Sequence, residues 1–230
     1  MKLATELYFE QARGWPPEGR HILAHHDDQS IIVYQAYRPS IGRFTVERGD
    51  FGGGFSLSRM SWIKPNFLWM MYRCGWGTKE GQKIVLGLRL RRAFFDGILA
   101  QAVQSSYYEG HFPSREQWKE ALATSALRLQ WDPDHDPSGA KLERRAIQLG
   151  LRGEVLEAFS KRELLEVIDM TEFVAEQRPN AASFGFAGLR IPVERVYVPP
   201  DPAVGTRLGL ASVSAEPAAA ADGGRDAGSS

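Results

Sequence analysis

Apolar residues along this chain fall into short runs separated by Pro, Gly and Asp, and the period of each run predicts its element. Ser30-Ile-Ile-Val-Tyr-Gln-Ala-Tyr37 is rich in β-branched and aromatic residues and is closed by Arg38-Pro39, which predicts a strand. Ile41 to Arg48 reads as a short helix, with Ser40 as N-cap and Gly49 as its stop. Phe51-Gly-Gly-Gly-Phe55 is a hinge or close-approach loop. Pro65 opens a helix in which Phe67, Leu68, Met71 and Tyr72 follow at helical spacing. Trp69 and Met70 make that helix apolar nearly all round, which predicts burial, and Gly75 and Gly77 end it.

Lys83 to Leu90 is a second strand, and Phe94 to Gln104 a helix. Ser114 to Leu122 is a helix capped by Ser114, with Gln117 three residues on. Leu127 to Trp131 predicts a third strand running into Asp132-Pro-Asp-His-Asp-Pro137, an expected turn-rich loop. Arg145 to Leu151 is a fourth strand, and Gly153 to Ser160 and Lys161 to Ile168 are read as helices. Gly188 to Pro192 and Val196 to Val198 are late strand-like pieces. Strands and helices mix without strict βαβ alternation, so the expected class is α+β, a compact mixed sheet with packed helices. The expected division is an N-terminal arm over 1–29, broken by Pro16 and Pro17, a single α+β domain over 30–200 and a disordered tail over 211–230, rich in Ala, Gly, Ser and Asp.

Composition narrows the function classes. The 230 residues carry 28 basic and 28 acidic side chains, which excludes a polybasic coat over the whole chain. No apolar run reaches membrane-spanning length, and the opening residues lack a secretory core, so a cytoplasmic protein with no membrane partner is expected. A single cysteine, Cys74, excludes an internal disulfide and a Cys-based zinc site. Its surroundings read as core.

The charge is not evenly spread. Arg59 to Arg92 holds eight basic residues against Glu80 alone, while Glu154 to Glu176 holds seven acids against Lys161 and Arg162. Trp62, Trp69, Tyr72 and Trp76 interleave the basic stretch, a pattern that suits phosphate binding with ring stacking, or equally a solvated face over packed aromatics. Arg59, Ser61 and Lys64 precede a helix start, where free N–H groups favour an anion, and Ser56 and Ser58 add hydroxyls. No Walker sequence, no GxGxxG after a strand, no HExxH and no GxSxG occurs. His25-His26-Asp27-Asp28 and the acids around His135 are weak cation candidates, since adjacent residues rarely point at one ion; no metal is expected.

Ile32 to Tyr37, the run FSLSRMSWIKPNFLWMMYRCGWGTK, QWDPD and RRAIQLGL together resemble the uncharacterised DUF4291 family, over Arg20 to about Val174. More distantly, the order of pieces resembles the ADP-ribosyltransferase-like fold. That resemblance implies an early strand whose Tyr34-Gln35 grips the NAD ribose, a short helix at Val46 to Gly49, a second motif beginning at Phe55-Ser56, and a third catalytic position at Gln148. The chain departs from that pattern with Gln35 where His or Arg is usual, and Gln148 where glutamate is usual.

The chemistry that NAD demands gives each candidate a role. Trp62 or Tyr37 would line a ring slot, Arg59 and Lys64 would hold pyrophosphate with Ser56 and Ser61 as donors, and Gln35 would meet ribose hydroxyls. The structural alternatives are a satisfied strand polar group for Gln35 and core packing for Trp62. Two other functions compete: a non-catalytic RNA- or DNA-binding module using the Arg59–Arg92 face, and a sensor of a small nucleotide.

Overall fold

A computed structural model describes residues 3–110 and 112–211. The tail read as disordered lies, beyond Ala211, outside the described residues. The chain begins with Thr5–Leu7 (β1), Tyr8–Ala12 (α1), Gly19–Arg20 (β2), Ile22–Ala24 (β3) and Ser30–Tyr37 (β4). Pro39–Arg48 (α2), Ser61–Ile63 (β5), Phe67–Cys74 (α3), Ile84–Arg91 (β6) and Arg92–Gln101 (α4) follow. Next come Val103–Gln104 (β7), Arg115–Thr124 (α5), Leu127–His135 (β8), Lys141–Leu151 (β9) and Gly153–Ser160 (α6). The last elements are Leu164–Asp169 (β10), Thr171–Ala181 (α7), Arg190–Pro192 (β11), Arg195–Tyr197 (β12) and Pro202–Leu208 (α8).

The class is α+β. One antiparallel sheet runs β10-β6-β4, and a second runs β2-β9-β8-β7 with β5 added to β9. A single bridge, Tyr34 to Lys64, links β4 to the residue just after β5. The first part of the chain is tied to the last by β1 on β11 and β3 on β12. β4 is buried on both faces, which is why its sequence is a continuous apolar run. Ile31 and Val33 face a core shared with Leu129, Leu149, Phe95 and Phe159. Ile32 and Tyr34 face a second core, built with Phe67, Met71 and Cys74 of α3 and Val174 of α7.

Local chemistry sets the ends of α3. The Asn66 side chain accepts the Trp69 amide at 2.6 Å, and Gly75, at φ 58°, supplies the left-handed stop. α2 ends the same way on Gly49 at φ 74°. The glycine loop after α2 is a close approach: a Cβ on Gly52 would meet the Phe44 ring at 2.4 Å.

Two expected bounds move: α2 begins at Pro39, with Arg38 rather than Ser40 before it, and the helix expected over Phe94 to Gln104 ends at Gln101 and gives way to β7. Two expected elements change type. Lys161 to Ile168 is not a helix; its second half is β10, antiparallel to β6. Glu166 lies opposite Arg89 and accepts from it at 2.9 Å, and a bulge at Leu165 turns that side chain outward. Ladder pairing with a buried strand outweighs the helix preference of Leu and Glu. Asp132 to Pro137 is not wholly a loop: β8 runs to His135, with Pro133 accommodated at a register shift. Asp134 and His135 are buried, and only Asp136 works as a turn residue, accepting the Ala140 amide at 2.9 Å.

Candidate functional site

Seven of the eight candidate residues from the sequence meet around two adjoining cavities. The larger, about 330 Å³, is lined by Tyr37, Arg38, Phe55, Ser56, Arg59 and Ser61. The smaller, about 180 Å³, is lined by Gln35, Tyr37, Ser61, Trp62, Lys64 and Arg73. Tyr37, Met60 and Ser61 belong to both walls. Strand β4 supplies Gln35 and Tyr37, β5 supplies Ser61 and Trp62, and α3 supplies Arg73 from its last turn.

The wall between β4 and β5 is a closed hydrogen-bond triangle. The Gln35 amide donates to Ser61 Oγ at 2.8 Å and to the Trp62 carbonyl at 2.9 Å. The Tyr37 hydroxyl donates to Gln35 Oε1 at 2.8 Å and lies 3.3 Å from Ser61 Oγ. Both Gln35 amide hydrogens are thereby used inside the protein, so Gln35 positions Tyr37 and Ser61 rather than gripping a ligand with its own donors. Burial pushes the Tyr37 phenol well above its usual range, so it stays protonated and serves as a neutral donor or acceptor.

Trp62 is half-buried and lies over Gly150 of β9. A Cβ there would come within 3.1 Å of the indole and 2.6 Å of Met60 Sδ, so glycine makes the room for both side chains. Arg59 is exposed, and among the described residues it makes no hydrogen bond or ion pair. Ser56 Oγ bonds Ser58 Oγ at 2.9 Å at the same rim.

Lys64 is buried, whereas Lys79, Lys83 and Lys161 are exposed. It is only 5% exposed, and among the described residues its ammonium makes neither a hydrogen bond nor an ion pair. Burial lowers its pKa from 10.5 to about 8; the Arg73 guanidinium pushes the same way and the Asp132 carboxylate opposes. The antiparallel pairing of Ile63 with Leu149 carries Lys64 to the row of Gln148.

Gln148 is the eighth candidate, and it lines neither cavity. Its amide donates to Asp132 Oδ2 at 2.8 Å, while the Gln130 amide donates to Asp132 Oδ1 at 2.8 Å. A carboxylate held by two amides therefore stands beside Lys64, at the place where the sequence showed only glutamine. The sequence reading missed Arg73, which lines the smaller cavity, and Asp132, which lines neither cavity but acts on Lys64 through its charge. The period-two spacing of Gln130 and Asp132 along β8 was the available signal, hidden by the expectation of a loop. No group of three or more metal-ligating side chains comes together among the described residues, including around His25 and His135.

The basic stretch is divided by the fold. Arg89 pairs with Glu166, Arg91 lies 3.7 Å from Glu163, and Arg92 lies 3.7 Å from Asp28. Cys74 is buried in the second core. No helix among the described residues is long and apolar enough to cross a membrane.

An α+β protein with a polar, cation-lined double cavity is the class these observations define. The chain belongs to the DUF4291 family, described as a domain of unknown function, which it matches over residues 21–197. No curated protein matches it.

Proposed function

We propose that the double cavity binds NAD or ADP-ribose, and that the protein recognises or transfers the ADP-ribosyl group. The observation that carries this reading is the adjacency of three strands. β4 with Gln35 is bridged to the end of β5, which carries Ser61 and Trp62, and β5 pairs with β9, which carries Gln148 behind the cavity walls; this adjacency supports the reading.

In this reading Arg59 and Arg38 hold pyrophosphate at the rim of the larger cavity, with Ser56 adding a hydroxyl donor; a guanidinium suits paired phosphate oxygens. The Trp62 ring offers a stacking face. Tyr37 and Ser61, oriented by Gln35, meet the ribose. In transfer, the ribose C1–N bond breaks and its electron pair leaves with nicotinamide. The positive charge developing at C1 is favoured by the Asp132 carboxylate, which Gln148 and Gln130 orient, and the acceptor then bonds to C1 and loses a proton. The carboxylate that Gln148 lacks is in this way supplied from the neighbouring strand.

Thermal shifts with NAD, ADP-ribose, ATP and short RNA and DNA, at low and moderate salt, test the reading. NAD or ADP-ribose should stabilise the fold at both salts, because a ligand that binds only the folded state raises its stability. Arg59→Ala should remove that stabilisation while leaving the apo melting point within about 2 °C, as expected for an exposed side chain without internal partners. Stabilisation by oligonucleotide alone, lost as salt rises, would replace this reading with a nucleic-acid-binding module.

A further inference from the structure

A lysine buried in the wall of a cavity, with no protein partner for its ammonium, is expensive to keep. Ordinary buried ammonium groups are paired or fully hydrogen-bonded. Lys64 is nine-tenths buried and unpartnered among the described residues, and it lines the 180 Å³ cavity between β4, β5 and α3. Arg73 stands on the same wall as a second positive charge. Asp132 is near enough to act on Lys64 but is held by the amides of Gln130 and Gln148, and it forms no ion pair with the ammonium. An ammonium placed only to grip phosphate would be served better at the rim, where Arg38 and Arg59 already stand. A lysine beside a second cation in a desolvated wall has the surroundings of an amine nucleophile.

We propose that Lys64 attacks the carbonyl carbon of a phosphorylated sugar held in the double cavity, and captures it as an imine. On the nucleotide reading, on which this rests, the sugar is ADP-ribose and the carbon is C1 of its terminal ribose in the open-chain aldehyde form. The amine lone pair bonds to C1, and the C=O π pair moves to oxygen, which takes a proton. The nitrogen loses its protons as that oxygen departs as water, leaving C=N. The neutral amine this needs is accessible near neutral pH because burial and Arg73 lower the Lys64 pKa to about 8. NAD itself, with C1 blocked by nicotinamide, would bind without forming the adduct.

The test is reductive trapping on the full chain with ADP-ribose and cyanoborohydride, read by peptide mass spectrometry. The expected product is a Lys64 peptide heavier by ADP-ribose less one oxygen atom, formed at pH 8 in about tenfold excess over adducts at exposed lysines such as Lys79, Lys83 and Lys161. NAD in excess should suppress it. Lys64→Arg keeps a cation in the wall, and should lose the adduct while retaining a thermal shift with ADP-ribose. An ADP-ribose thermal shift with an unmodified Lys64 peptide overturns the imine and leaves the pocket standing. No shift and no selective adduct overturns both.

Discussion

Replacing Lys64 by methionine should make the protein more stable, and by an amount that depends on pH. The folded chain gives up the Lys64 proton near pH 8, whereas an unfolded lysine holds it to 10.5. Each tenfold change in proton affinity is worth about 1.4 kcal/mol, so keeping the ammonium in the wall costs about 3 kcal/mol below pH 8. Because the folded value is the lower one, the unfolded state binds more protons between pH 8 and 10.5, and raising pH through that window stabilises the native chain. The methionine variant has no such proton and fills much the same space. It should exceed the native protein by about 3 kcal/mol at neutral pH, or roughly 6–10 °C in melting temperature for a domain of this size. That advantage should shrink steadily towards pH 10. Paired urea melts at about pH 7 and about pH 9.5 measure both numbers, and titrations common to the two proteins cancel in the difference. A variant weaker than the native chain at neutral pH, or a gap that does not change with pH, would refute the assignment of Lys64 as a strained buried cation.

Gly42→Ala places a Cβ 2.4 Å from Ile84 Cβ, where α2 crosses β6, and should cost about 1–3 kcal/mol in a urea melt. Arg144→Met leaves Asp134 buried without the partner that now meets it at 2.7 Å, and should cost about 3–5 kcal/mol. Adding Asp134→Asn to Arg144→Met should recover much of that loss, because the uncompensated charge is gone; a double variant no better than the single would contradict this account.

Where local signals and tertiary pairing agree, the sequence was a good guide. β4 was bounded by Ser30 and by the Arg38-Pro39 stop, and α3 by Pro65 and Gly75, so the strand and helix flanking the site were visible in advance, although the Asn66 cap was not. β10 was not, because Leu164 to Ile168 has helix-like spacing and only the facing Arg89 and Leu88 of β6 select the strand. The extension of β8 to His135 was hidden by two prolines and three aspartates, and its reason, a buried Arg144, lies on the next strand. The site divides in the same way. Ser61 and Lys64 were singled out because they precede a helix start, and Trp62 and Tyr37 as possible walls of a ring slot; the fold brings all four to the cavity walls. The tying-up of Gln35, the support of Gln148 by Asp132 and the arrival of Arg73 depend on strand register and helix rotation, which one-dimensional spacing does not fix.

The pairing of β1 with β11 and of β3 with β12 has a consequence for how the protein is made. His25 finds the Val193 carbonyl, 168 residues further on, and Trp15 finds that of Glu194. At roughly 5–20 residues per second on the ribosome, the wait for those partners is on the order of ten to thirty seconds. During it the apolar Ile22–Ala24 segment has an open edge, available to a neighbouring nascent chain. Stalled or truncated translation products ending before Arg190 should therefore be the aggregating species, and the interval before Arg190–Tyr197 emerges the one in which a chaperone matters most.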